Sequence, residues 1–175
     1  METINDFIEN YREKYNISDI NRFANLIHSH NQSVSSHSYF VSLITMDLCR
    51  HYKVSPETQL QCLQWAILHD IPEIYTGDIF TTVKIDHPEF REYLKTLEDT
   101  YYRKLGYPIE DDFDLVVRYI VKMADNLDVV MFCYIEQELG TKGEYEKIKQ
   151  RAFNTYLQLK EQVELILFSD NKRGD

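Results

Sequence analysis

From Asp111 to Leu139 the chain runs without a glycine or a proline, and its apolar residues fall on two stripes instead of one. Leu115, Val116, Ile120, Met123, Leu127 and Val130 follow one helical face. Val117, Val121, Ala124, Val129 and Phe132 follow roughly the opposite face. A surface helix needs a single apolar stripe, so a helix with two must be enclosed by neighbours. This segment predicts the central rod of a helical assembly.

Helical spacing predicts further helices over residues 3–15, 19–29, 36–52, 56–69, 88–105 and 143–168. Ser55-Pro56 offers an N-cap followed by proline at the first helical position. Gly106 closes the helix before it. Residues 30–36 (HNQSVSS) read as a loop of turn and cap residues. Residues 71–84 read as a loop with at most one helical turn, and NKRGD at the end reads as a frayed tail. With 5 Gly and 4 Pro in 175 residues, the many tight turns of an all-β fold are disfavoured. No repeat or linker divides the chain. The expectation is an all-α helical bundle forming one domain over residues 1–175.

The formal net charge is -10, and no basic cluster stands out. That argues against nucleic acid as a partner, although a few Lys and Arg can still line one pocket for a small anion. METINDFIENYREKYN lacks the cationic and apolar regions of a signal peptide, and no apolar run approaches membrane-spanning length. Cys49, Cys62 and Cys133 are isolated and lack zinc-type spacing. A cytoplasmic protein with no membrane partner is expected. Apolar and aromatic helix faces point to a homo-oligomer.

Four ionisable residues fall where plain packing does not explain them. His37 shares the Phe40, Ile44 and Leu48 stripe of its helix. His69 and Asp70 end a helix that is apolar on both sides, with Leu60, Leu63 and Ile67 on one and Cys62, Trp65 and Ala66 on the other. Asp125 lies among Val121, Val129 and Phe132. A buried carboxylate is costly unless paired or bound to a metal. Two His and two Asp form an N/O set suited to a divalent ion such as Mn, Co, Fe, Zn or Mg. Each has an ordinary reading too: a hydrogen-bonded core histidine, a chance dipeptide, or an aspartate paired with Arg118 or Lys122 on its own helix. The set in the order H…HD…D is more specific than its members.

That order resembles the HD-domain metal-dependent phosphohydrolases. The finer resemblance is to the YfbR-like 5'-deoxynucleotidases, and the compact phage DatZ-like dATP triphosphohydrolases share the scaffold. It rests on Arg22-Phe23, on SVSSHS (33–38), on HDIPEIYTGD (69–78), on TVK (82–84) and on KMADNLD (122–128), and covers about residues 20–135. The resemblance implies that His37, His69, Asp70 and Asp125 hold a divalent ion (Co, Mn, Zn or Fe, with Mg joining when nucleotide is bound). Glu73 would orient or deprotonate the water that the ion activates. Asp78 would contact the sugar or assist Glu73. Arg22 and Lys84 would neutralise phosphate oxygens, with Phe23 beside the substrate. Gly77 would turn the chain ahead of Asp78.

Four departures stand against that pattern. Phe23 replaces the usual tryptophan, whose ring helps exclude ribonucleotides, so the preference for deoxyribose is left open. Ser36 replaces a Glu or Asp before the first metal histidine and removes one partner for that ring. GDIFTTVK replaces a Pro-rich GDLPTPVK and changes the pocket rim. The stretch from Asp70 to Asp125 is short, nearer to the phage-type enzymes. The implied activity is hydrolysis of deoxyribonucleotide phosphoesters. A 5'-deoxynucleotidase acting on monophosphates comes first and a deoxynucleoside triphosphohydrolase second. A non-catalytic nucleotide-binding HD scaffold is the reading from another class, and an intact ligand set with Glu73 argues against it. His28, His30, His51 and His87 are expected at surface or capping positions. Tyr101, Tyr102, Tyr107 and Tyr119 are expected between helices.

Overall fold

The computed structural model describes residues 3–169. Its helices are α1 (Ile4–Arg12), α2 (Val34–Tyr52), α3 (Pro56–Leu68), α4 (Glu73–Thr76), α5 (Thr81–Asp86), α6 (Pro88–Leu105), α7 (Leu115–Glu138) and α8 (Tyr145–Ser169), with 3-10 turns at Lys14–Ser18 and Glu110–Asp112. Among the described residues there is no strand, only an isolated bridge between Asn21 and Ser33. The fold is all-α, as expected. The NKRGD tail lies outside the described residues.

Local capping explains several boundaries. Ser33 and Ser55 take extended backbones, and their Oγ atoms accept the N–H groups of Ser36 and Thr58 at 3.2 and 3.1 Å. Each satisfies a donor that the first turn leaves free. The cap at Ser33 starts α2 two residues before the expected position. Gly106 ends α6 in the left-handed region, with φ 74, where a side chain would be strained. The 71–84 segment holds two short helices, α4 and α5, where at most one turn was expected.

α7 packs against α2, α3 and α8. Its Val117, Ile120, Val121, Met123 and Ala124 are buried together with Val41, Cys49 and Tyr52 of α2, Cys62, Trp65 and Ala66 of α3, and Val163 of α8. Each large apolar side chain removed from water contributes about 1.5–3 kcal/mol, so this cluster is what holds α7 at the centre. The outer stripes behave differently. Leu60, Ile67, Leu115 and Phe40 are exposed. The buried face of α2 runs through Val34, His37, Val41, Thr45 and Cys49, one position round from the Phe40 stripe. His37 lies on the edge shared by both stripes and stays fully buried.

Residues 19–29 are not helical. Arg22 N–H donates to the Gln32 carbonyl and Val34 N–H to the Ile20 carbonyl, both at 2.9 Å. Phe23 sits at φ 56, which no α-helix accommodates. Long-range contacts outweigh the helical spacing here. Phe23 stacks on Phe132 at 4.4 Å, and the buried Glu136 carboxylate accepts the N–H groups of Ser29 and His30, each at 2.7 Å. The clamped loop therefore lies along α7 and carries Arg22 to α2.

On the other side of α3, Tyr102 of α6 packs against Trp65 with ring centroids 5.5 Å apart. Its hydroxyl donates to the carbonyls of Leu68 and His69. This anchors the end of α3, where the polar residues begin. Cys49, Cys62 and Cys133 are buried free thiols. Among the described residues no helix is long and apolar enough to cross a membrane.

Candidate active site

His69 caps the end of α3. Its Nδ1 lies 2.9 Å from the Ala66 carbonyl, which can only accept, so Nδ1 carries the proton and Nε2 keeps its lone pair. Burial lowers the His69 pKa, so the ring is neutral. On His37, of α2, Nδ1 lies 2.7 Å from Asp128 Oδ2, which can only accept, and Arg22 Nη1 also touches Nδ1. Both rings thus turn Nε2 towards one point, 3.2 Å from each other. Asp70 Oδ2 lies 3.4 Å from His37 Nε2 and 3.3 Å from His69 Nε2. Asp125 Oδ1 lies 3.3 Å from His37 Nε2.

These separations fit a metal. Ligand atoms about 2.1 Å from a shared ion sit about 3.0–3.4 Å apart at octahedral to tetrahedral angles. One ligand atom each from His37, His69 and Asp70 lie within 4.8 Å of one another. Asp125 lies outside that group of three and approaches from the His37 side, and its second oxygen is held by Lys122 at 2.7 Å. The pairing of Asp125 with Lys122 therefore exists, but it uses only one oxygen. Arg118 pairs instead with Asp111 at 2.7 Å.

The electrostatics agree. Burial and Arg22 both lower the His37 pKa, yet hydrogen bonds to Asp125, Asp128 and Asp70 outweigh them and raise it to about 10. Burial also works against ionising Asp125, but Lys122 and His37 hold its carboxyl well below the usual range. Carboxylates that favour a proton at this point also favour a divalent cation.

The other expected residues gather around this cluster. Glu73, at the start of α4, is buried, and its Oε2 has no hydrogen-bond partner among the described residues. Burial, then the charges of Asp70 and Asp78, push its carboxyl up to about 10. Gly77 follows at φ 69 with no atom within 4 Å of a would-be Cβ, so conformation and not space calls for glycine there. It delivers Asp78, whose Oδ2 accepts the Phe23 N–H at 3.0 Å. Arg22 is buried beside the cluster, with Nη2 3.8 Å from Asp125 and Nη1 3.4 Å from Asp128. Its guanidinium lies over the Phe23 ring at 5.2 Å. Lys84 reaches the site from α5.

Two cavities meet at the cluster. One, of about 180 Å³, is lined by His69, Asp70 and Glu73 and by the cations Lys84, Lys95, Arg118 and Lys122, with Glu98, Asp99 and Glu110 among its other walls. The other, of about 200 Å³, is lined by Arg22 and Asp78 and by the apolar Phe23, Phe80, Val129 and Ile148. Asp125 and Lys122 border both.

The sequence profile of the YfbR-like 5'-deoxynucleotidases matches residues 11–172. The chain belongs to that family. It is an HD-domain metal-dependent phosphohydrolase. A dATP triphosphohydrolase of Cyanophage S-2L is 26% identical over 160 residues, covering 88% of this chain and 89% of that protein. The structure of the Cyanophage S-2L HD phosphohydrolase DatZ, bound to dA and one catalytic Zn2+ ion, superposes with a TM-score of 0.71 at 21% identity, over 90% of this chain and 96% of that one. An HD-domain phosphohydrolase from Listeria innocua gives a TM-score of 0.69 at 18% identity, over 94% and 86% of the two chains.

Several residues around this YfbR-like site escaped the sequence reading. Asp128 is the foremost. It follows Asp125 by three residues on the same buried face of α7, so a second acid on an apolar stripe was the available signal. Gln32, which donates to Asp128 at 2.8 Å, had no such signal inside a polar loop. Lys95 and Arg118 lie on α6 and α7, and only in the folded chain do they line one cavity and share Asp111 as a partner, at 3.0 and 2.7 Å. His51 and His87 are exposed as expected, and Tyr102 packs between helices.

Proposed function

We propose that this YfbR-like enzyme hydrolyses deoxynucleotides, with a deoxynucleoside triphosphate as its substrate. The observation that carries this is the ligand cluster lying between a cavity with an apolar side and one whose walls set four cations, Lys84, Lys95, Arg118 and Lys122, among six carboxylates. His37, His69, Asp70 and Asp125 would hold a divalent ion, zinc being the precedent in DatZ. Such an ion supplies Lewis acidity, lowering the pKa of nearby water and polarising a phosphoryl oxygen.

The chain's own residues do the rest. Phe23, Phe80, Val129 and Ile148 receive base and sugar, and the ring of Phe23 bounds the sugar side. Arg22 grips the phosphate next to the sugar as a fork, while Lys84, Lys95, Arg118 and Lys122 neutralise the outer phosphates. Glu73 exchanges a proton at Oε2, taking it from the attacking water and returning it to the leaving oxygen. Its raised pKa suits the return of that proton to the leaving oxygen, and a bound cation beside Asp70 would lower it towards the ionised form that the first transfer needs. Water adds to phosphorus, the bond to the sugar oxygen breaks, and deoxynucleoside and triphosphate leave.

A second reading, hydrolysis of deoxynucleoside monophosphates, is favoured by the family to which the chain belongs. It uses the same centre and leaves the outer cations unused. Incubation with each dNTP, each dNMP and ATP, with Co2+, Mn2+ or Mg2+, separates the readings by product. Triphosphate release from a dNTP is expected. Orthophosphate from monophosphates alone would support the second reading, and no turnover with any metal would leave a nucleotide-binding scaffold. The exposed Tyr39, Phe40, Leu43 and Met46 on α2 support self-association, which sedimentation velocity would test.

A further inference from the structure

We propose that Asp128 is a positioning residue that ties the metal centre to the phosphate-gripping arginine. The inference rests on the ligand set described above, not on the identity of the substrate. Asp128 is 4% exposed. Its Oδ2 alone faces three donors: His37 Nδ1 at 2.7 Å, Gln32 Nε2 at 2.8 Å and Arg22 Nη1 at 3.4 Å. Arg22 Nη1 also touches His37 Nδ1, so ring and guanidinium share the one carboxylate; among the described residues no other carboxylate lies within hydrogen-bond distance of Nδ1, and Ser36, beside it in sequence, supplies none.

The geometry has two consequences. A carboxylate on Nδ1 fixes the ring of His37, aims Nε2 at the ion and raises its basicity. The same oxygen fixes Arg22, which also reaches Asp125 at 3.8 Å and lies over Phe23. One face of α7 therefore supplies a ligand, Asp125, and one turn later the group that orients another ligand. Any movement of the Asp128 carboxylate displaces His37 and Arg22 together. Metal affinity and nucleotide affinity are then linked through one side chain, and the linkage is reciprocal.

The test uses full-length Asp128→Ala and Asp128→Asn, with folding checked by circular dichroism. Zn2+ affinity is read by competition with a chromophoric chelator, and the His37 tautomer by long-range 1H–15N correlation. Alanine removes the acceptor, and Zn2+ binding should weaken about 10–100-fold, with loss of the single Nδ1–H tautomer. Asparagine keeps an oxygen for Nδ1–H but drops the charge, so its loss should be smaller. A double-mutant cycle of Asp128→Asn with Arg22→Lys, read in KM for a turned-over dNTP, should be non-additive.

Wild-type Zn2+ affinity together with a wild-type tautomer in folded Asp128→Ala would overturn the proposal. If alanine prevents folding, unchanged Zn2+ affinity and unchanged KM in Asp128→Asn would do the same. The zinc and tautomer measurements need no turnover, so failure of the triphosphohydrolase reading would be seen separately.

Discussion

Asp78 reaches across the fold to accept the backbone N–H of Phe23 at 3.0 Å. The residue expected to serve the sugar is thus also a strut for the ring that lines the cavity of about 200 Å³. Phe23 holds a left-handed backbone at φ 56, and this hydrogen bond, with the stack on Phe132, helps keep it there. Asp78→Ala removes a bond worth about 1–2 kcal/mol. The expected result is a 5- to 30-fold fall in kcat/KM, about what that energy allows, carried mainly by KM. Asp78→Asn, which keeps an oxygen acceptor, should lose less. Steady-state kinetics on both variants checks the order.

Glu73→Gln keeps the shape of the site but removes the exchangeable proton. Activity should fall about 10²–10⁴-fold, while Zn2+ affinity, measured as for Asp128, stays near that of the wild type. A large loss of metal affinity would instead make Glu73 a ligand.

Lys95→Ala and Arg118→Ala act at the cavity that both residues line, and each also removes an ion pair with Asp111. Each removes one charge facing the outer phosphates, so KM for a dNTP should rise about 10-fold, as for losing a charged hydrogen bond of about 1.5 kcal/mol. Hydrolysis of any dNMP should change little. Equal effects on both substrates would argue against a triphosphate subsite.

Glu136 governs a pH-dependent part of stability. Burial raises its pKa, but the N–H donors of Ser29 and His30 and the Thr141 hydroxyl outweigh burial and hold it below the ordinary value. The fold therefore prefers the ionised form. That contribution is complete above the unfolded value of about 4.3 and is lost as pH falls through the folded value. Glu136→Gln turns an amide NH2 towards a backbone donor and should cost about 1–3 kcal/mol near pH 7, or about 2–4 °C in Tm per kcal/mol. The difference in Tm between the two proteins should narrow as pH drops below 5.

Bound metal should stabilise the fold by mass action. At a free Zn2+ concentration of about 100 Kd the gain is about 2.7 kcal/mol, so a strong chelator should lower Tm by about 5–11 °C. Asp70→Ala should abolish that response.

Periodicity, caps and short motifs sufficed for much of this protein. The two-sided pattern around Ile120 and Val121 made α7 the axis, because a helix apolar on both sides has nowhere else to be stable. Ser55-Pro56 and Gly106 marked ends correctly, because capping is decided by neighbouring residues. That His37, His69, Asp70 and Asp125 come near one another was to be expected, because ionisable groups on apolar faces demand a partner. The expected helix over residues 19–29 failed for the opposite reason. Its apolar spacing is helical, but Phe132 and Glu136, more than a hundred residues away, bind the same groups better in a non-helical, turned loop. Only the tertiary structure could bring Asp128 to His37, Asp78 to Phe23, and Lys95 and Arg118 to the wall of one cavity. Those relationships depend on distance in space, and local sequence order does not encode it.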